Sequence, residues 1–135
     1  MNNIVTFPVD RHGVPGDARV QPSNGATPFG FAFGKRDHLL VSEAFGGAPD
    51  ASAVSSYDLD EDGGLTSVAA SVATTETAAC WVAVTPNGRY AYVTNTASGT
   101  VSGYAVGFDG SLELLDADGR TGVTGDGSGP IDLVI

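Results

Sequence analysis

Apolar and polar positions alternate along this chain in short runs broken by glycine, proline, asparagine and aspartate. No window keeps a helical period long enough to compete. The runs Phe29–Phe33, His38–Ala44, Val54–Asp60 and Leu65–Ala73 each predict a β-strand, with turn chemistry at Gly34-Lys35-Arg36-Asp37 and Glu61-Asp62-Gly63-Gly64. The same order returns downstream as Ala78–Val84, Ala91–Thr96, Val101–Val106 and a strand from Leu112. Its turns are Thr85-Pro86-Asn87-Gly88, where Asn-Gly supplies the positive φ of a tight hairpin, and Phe108-Asp109-Gly110-Ser111. The chain therefore predicts an all-β fold.

The runs also repeat as a unit. Thr27-Pro28-Phe29-Gly30-Phe31-Ala32-Phe33 recurs as Ala78-Ala79-Cys80-Trp81-Val82-Ala83-Val84 and as Gly129-Pro130-Ile131-Asp132-Leu133-Val134-Ile135, while Ile4–Val9 matches both Val54–Leu59 and Val101–Val106. A period of roughly 50 residues implies a solenoid or a propeller, and four antiparallel strands per unit of that length make a propeller blade. The expected organisation is a partial β-propeller: residues 1–26 as the second half of a blade, 27–77 and 78–128 as full blades, and 129–135 as the first strand of the next. A ring of about 4 to 8 blades cannot close with so few. The expectation is a fragment of a longer parent, whose exposed edges take up missing blades or self-associate.

Charge narrows the partners. The formal net charge is −10, with Lys35 the lone lysine and Arg11, Arg19, Arg36, Arg89 and Arg120 scattered. Nucleic acid, which needs clustered cations, is excluded as a partner. The single cysteine, Cys80, permits neither an internal disulfide nor a multi-cysteine zinc site. No apolar run approaches the roughly 18 residues of a membrane span, and Met1–Thr6 lacks the pattern of a signal peptide, so no membrane partner and a cytoplasmic location are expected.

Asp58-Leu59-Asp60-Glu61-Asp62-Gly63 begins like a calcium loop, but Ala69 stands where a bidentate acid is required, so it predicts a hairpin turn. Gly125-Asp126-Gly127-Ser128-Gly129 lacks the Gly-Lys-Ser/Thr ending of a phosphate loop, and there is no Gly-x-Ser-x-Gly nucleophile elbow. Neither a metal nor a cofactor is expected.

If the first strand of each unit is innermost, Thr27-Pro28-Phe29, Glu43–Asp50, Ala78–Trp81, Asn95–Gly99 and Gly129–Ile131 share one face. Glu43, ending an inner strand, is the candidate acid/base group, because partial desolvation there suits a carboxylate to proton transfer. Thr27, Phe29, Trp81, Asn95 and Ile131 are the candidate ligand-binding residues, with Asn95 standing at the Glu43 position of the next unit and Trp81 forming an apolar wall. His38 and His12 are expected in surface turns away from that face.

Through Thr27–Phe33, Leu39–Ala44, Thr77–Trp81, Gly99–Tyr104 and Gly129–Leu133, essentially the whole chain resembles the lactonase-type seven-bladed β-propeller family, the group described as 6-phosphogluconolactonase or 3-carboxymuconate cyclase-like. The resemblance implies a parent of roughly 350 residues acting, without a metal, as a hydrolase or cycloisomerase of small lactones or anionic sugar acids. It also implies an arginine just after a Gly-Pro at the start of strand one. Phe29, Cys80 and Ile131 occupy that position here. The alternative is a non-catalytic propeller scaffold for ligand or protein binding, and no independent activity is expected of the 135 residues alone.

Overall fold

A computed structural model describes residues 2–125 and 127–135 of the chain. Met1, which opens the amino-terminal segment read above, and Asp126, inside the Gly125–Gly129 run, lie outside them. The described residues form eleven strands and no α-helix, with one 3₁₀ turn at Phe45–Gly47. Strands β1 (Asn3–Thr6) and β2 (Arg19–Pro22) make a two-stranded sheet. Strands β3 (Pro28–Phe33), β4 (His38–Glu43), β5 (Ala53–Leu59) and β6 (Leu65–Ala73) make a four-stranded antiparallel sheet in sequence order. Strands β7 (Ala79–Val84), β8 (Tyr90–Asn95) and β9 (Thr100–Val106) repeat that order, and both β10 (Leu112–Leu114) and β11 (Gly122–Val123) pair with β9.

Two of the expected elements differ. The fourth strand of the second unit is split, because residues 115–121 leave the ladder through a turn closed by the Gly119 N–H on the Asp116 carbonyl and by Thr121 Oγ1 on the Asp116 carboxylate. Residues 129–135, anticipated as the first strand of a further blade, form no strand. A first strand pairs with the second strand of its own blade, and among the described residues no such strand lies beside them.

The sheets stack face to face. Leu40 and Val54 of the first full sheet meet Val82, Ala91, Val93 and Tyr104 of the second in one buried cluster. On its opposite face, Leu39, Val41 and Tyr57 receive Ile4 of the two-stranded sheet. Adjacent sheets are also clasped by side chains. Thr6 Oγ1 donates to the Gly63 carbonyl at 2.5 Å, and one unit on, Ser56 Oγ donates to the Gly110 carbonyl at 2.6 Å. A hydroxyl on the third strand of the half blade, and another on that of the first full blade, thus holds the tip of the next blade's outer hairpin.

The innermost contact depends on a missing side chain. A Cβ on Gly30 would lie 2.2 Å from the Cys80 carbonyl oxygen, so only glycine lets β3 approach β7 this closely. Ser42 fills the space beneath, accepting the Gly30 N–H at 2.9 Å and donating to the Cys80 carbonyl across the sheet boundary. Two full four-strand-type blades flanked by a half blade are a partial β-propeller.

Candidate functional site

Both inner hairpins carry a one-residue bulge at their start, between Pro28 and Phe31 and between Ala79 and Val82. Each bulge follows a non-glycine residue held in the left-handed region, Thr27 at φ 55° and Ala78 at φ 60°. Such backbone is costly for a residue with a Cβ and persists only where its surroundings fix it. Here the Thr27 carbonyl accepts the Ala44 N–H and the Ala78 carbonyl accepts the Thr96 N–H, both at 3.0 Å.

The loops at this end of the sheets are stitched in series. Thr77 Oγ1 accepts the Asp50 N–H at 2.9 Å, Ser98 Oγ accepts the Thr77 N–H at 2.8 Å, and Thr96 Oγ1 donates to the Pro130 carbonyl at 2.8 Å. The structure therefore gathers the anticipated loops at one end but separates their side chains. Phe29 and Trp81 are in contact, edge to face with ring centroids 5.5 Å apart, and both are exposed. Thr27 and Ile131 are exposed nearby in sequence register, whereas Glu43 and Asn95 are fully buried.

Glu43 is a saturated anchor in this geometry. Its Oε1 accepts the Gly25 N–H at 2.7 Å, Ser55 Oγ at 2.6 Å and Ser23 Oγ at 3.4 Å, and its Oε2 accepts Ser71 Oγ at 2.6 Å. One carboxylate thus joins β4 to β5, β6 and the segment before β3. Tyr104, buried between the two blades with its hydroxyl on the Val72 carbonyl at 3.0 Å, has its phenol pushed well above the usual range by burial and by the charge of Glu43.

Asn95 does the corresponding job with an amide. Its Nδ2 donates to Thr100 Oγ1 at 3.1 Å and Ser102 Oγ at 2.8 Å, and its Oδ1 is buried without a partner. The carboxylate of this blade comes instead from Glu76, which the sequence reading did not single out. Glu76 is buried; its Oε2 accepts Thr100 Oγ1 at 3.1 Å and its Oε1 accepts Arg120 Nε at 2.6 Å. Burial acts to raise its carboxyl, but hydrogen bonds from Arg120, Ser98 and Thr100, together with the Arg120 charge, outweigh it and hold the group below the usual range. The available signal was a transposition in the repeat: glycine at position 25 and glutamate at 43 become glutamate at 76 and asparagine at 95.

His38 departs from its expected place in a surface turn. It is buried, with Nδ1 2.7 Å from Asp58 Oδ1 and Nε2 3.3 Å from the Phe108 carbonyl, at the end of β4 opposite Glu43. The Asp58–Gly63 stretch is a hairpin turn in which Asp60 Oδ1 accepts the Asp62 and Gly64 N–H groups. Among the described residues, no cluster of three or more histidine, cysteine or acidic side chains is placed to hold a metal, and no helix is long and apolar enough to cross a membrane.

Stacked antiparallel blades with bulged inner strands define a β-propeller segment. The family model described as "Lactonase, 7-bladed beta-propeller" matches residues 35–131, and the chain belongs to that family. Among solved structures, it is similar to a functionally unknown protein from Desulfotomaculum acetoxidans DSM 771, with 20% identity and a TM-score of 0.71 over 85% of this chain and 34% of that one. A candidate 6-phosphogluconolactonase from Bacteroides fragilis NCTC 9343 matches with 22% identity and a TM-score of 0.61 over 75% of this chain and 28% of that one. A protein from Lactobacillus plantarum matches with 17% identity and a TM-score of 0.56 over 85% and 36% respectively. At these identities the likeness shows the fold, and the chain spans about a third of the length of each. No functionally curated protein matches the chain.

Proposed function

We propose that this chain is a two-and-a-half-blade segment of a lactonase-type propeller that contributes wall and framework to the ring and has no lactone-opening activity of its own. The observation that carries this reading is the state of Glu43. A general acid or base must come within hydrogen-bonding reach of the proton it moves. The Glu43 carboxylate has 0% exposure and its two oxygens accept four protein donors. No arginine stands at Phe29, Cys80 or Ile131 to hold an anionic substrate, and the Arg120 guanidinium is bonded to Glu76. What the segment presents at the inner end is the apolar Phe29–Trp81 pair.

A second reading, favoured by the family match, places a small lactone or anionic metabolite in the mouth of the completed ring, with Phe29 and Trp81 as part of its wall. One pair of measurements tests the first. The 135-residue polypeptide should hydrolyse 6-phosphogluconolactone no faster than buffer, while Glu43→Gln should lower its stability by about 1–3 kcal/mol, since the amide group faces donors that include the fixed Gly25 N–H. Turnover by the wild-type polypeptide that Glu43→Gln abolishes without shifting the urea midpoint would instead make Glu43 catalytic.

A further inference from the structure

The two faces of the repeat are unequally covered. Val82 of β7 packs against the first full blade and is 5% exposed, whereas Phe31 at the same repeat position of β3 is 62% exposed. Phe29 and Phe33 on the same strand are exposed at 55% and 62%. Opposite them, among the described residues, β1 pairs with β2 alone, although the third strand of each full blade, β5 or β9, is also paired on its other edge by a second strand. Between the free edge of β1 and the bare side of β3 lies a groove of about 590 Å³, whose lining includes Ile4, Phe7, Phe29, Phe31, Phe33 and Val41, with Asp60 and Glu61 also on its wall.

We propose that this groove is the docking site for a β-hairpin from outside these 135 residues, the inner half of the blade before β1 in the completed ring. This rests on the reading of the chain as a ring segment. The hairpin's second strand adds to the edge of β1, and its first strand covers Phe31 and Phe33, the equivalents of Val82 and Val84. The chain itself displays what such an occupant looks like, because β3–β4 occupies the equivalent place against β7. That hairpin brings a glycine, Gly30, to the crossing point and a hydroxyl, Ser42, to the Cys80 carbonyl of the next blade. The occupant therefore carries a glycine facing the Phe29 backbone and a serine or threonine for the Phe29 carbonyl.

The outer half of the interface is already built and continuous with the groove. Ile4 packs on Leu39, Val41 and Tyr57, Gln21 Nε2 donates to the Gly63 carbonyl at 3.0 Å, and Gln21 Oε1 accepts the Leu65 N–H at 2.7 Å. A second copy of the chain fits poorly. Its free blade face offers Trp81 where Gly30 stands and Gly103 where Ser56 supplies the clasping hydroxyl.

The test uses the protein's own hairpin as the probe. A fluorescent peptide of residues 27–44 is titrated with the full 135-residue chain and anisotropy is read. In parallel, a copy of residues 27–52 is fused ahead of Asn3, so that the repeat's own loop makes the connection and the hairpin acts at high effective concentration. Saturable binding, weakened about tenfold or more by Phe31→Asp in the protein and severalfold by Ser42→Ala in the peptide, supports the proposal. So does slowed amide exchange along β1 in the fusion, where a peptide too weakly folded to bind would still act. Phe31 is exposed, so its replacement leaves the fold intact, which the urea midpoint checks.

The proposal is overturned if neither peptide nor fusion engages β1, or if both engage it equally with Phe31→Asp. It is also overturned if the protein alone forms dimers that Phe31→Asp disperses, which makes a second copy the occupant. None of these outcomes bears on lactone turnover, so the ring-segment reading stands or falls separately.

Discussion

Glu43 on β4 and Glu76 in the loop before β7 are the buried carboxylates of successive blades. A Cβ on Gly25 would lie 2.2 Å from Glu43 Oε2, so the long acid on β4 requires a glycine opposite it. In the next blade that glycine position is Glu76, and the β4-type position has shrunk to Asn95. The second arrangement is the less complete one, because Asn95 Oδ1 lacks a donor and Glu76 depends on Arg120, a partner 57% exposed. Its pH dependence follows in sign. A carboxyl held below its ordinary value of 4.5 in the folded state contributes stability that is fully present above that value and is lost as pH falls through the lower, folded one. The urea midpoint is expected to fall below about pH 4.5, and Glu76→Gln is expected to lose part of that acid sensitivity. An acid limb identical in wild type and Glu76→Gln would show that other carboxylates set it.

At the scale of strands, the blade boundary is set by backbone approach. Gly30→Ala places its Cβ 2.2 Å from the Cys80 carbonyl oxygen and 2.9 Å from the Trp81 Cα, both backbone atoms that cannot swing aside. Overpacking of this kind is expected to cost about 3 kcal/mol or more. Gly122→Ala is the matched control, since its Cβ meets nothing closer than the Val101 Cβ at 3.7 Å, and it should shift the urea midpoint little. Equal effects of the two substitutions would remove Gly30 from the boundary. The strands themselves were legible because alternation and turn chemistry are local: Leu65–Ala73 was read with the bounds of β6, and β3, β4, β5, β7, β8 and β9 fall within a residue or two of their reading, whereas the run Ile4–Val9 yields a strand that ends at Thr6. The split between β10 and β11 was not legible, because it depends on the excursion that carries Arg120 to Glu76, a contact between residues 44 apart. Burial of Glu43 and His38 was hidden for the same reason, since hydroxyl groups and carbonyls from distant strands supply their partners.

For the whole molecule, stability should be graded along the stack. Each blade touches only its neighbours, so the chain behaves as a short row of units coupled through interfaces. The middle blade is covered on one side by the Leu40–Val82–Val93 cluster and only half covered on the other. The two-stranded sheet is the weakest unit. Its described residues supply no second and first strands, an isolated two-stranded sheet is marginal in water, and its hold on the rest runs through Ile4, Thr6, Gln21 and the exposed Arg19–Asp62 pair. Native-state hydrogen exchange is therefore expected to show β1 and β2 amides opening at a free energy well below that of β4, β5 and β8, whose residues are mostly buried. Thr6→Val, which keeps the shape and removes the donor to Gly63, should lower β1 and β2 protection further and leave β8 unchanged. If all these strands instead exchanged together at one free energy, the half blade would be an integral part of one cooperative unit, and the row-of-units description would fail for this chain.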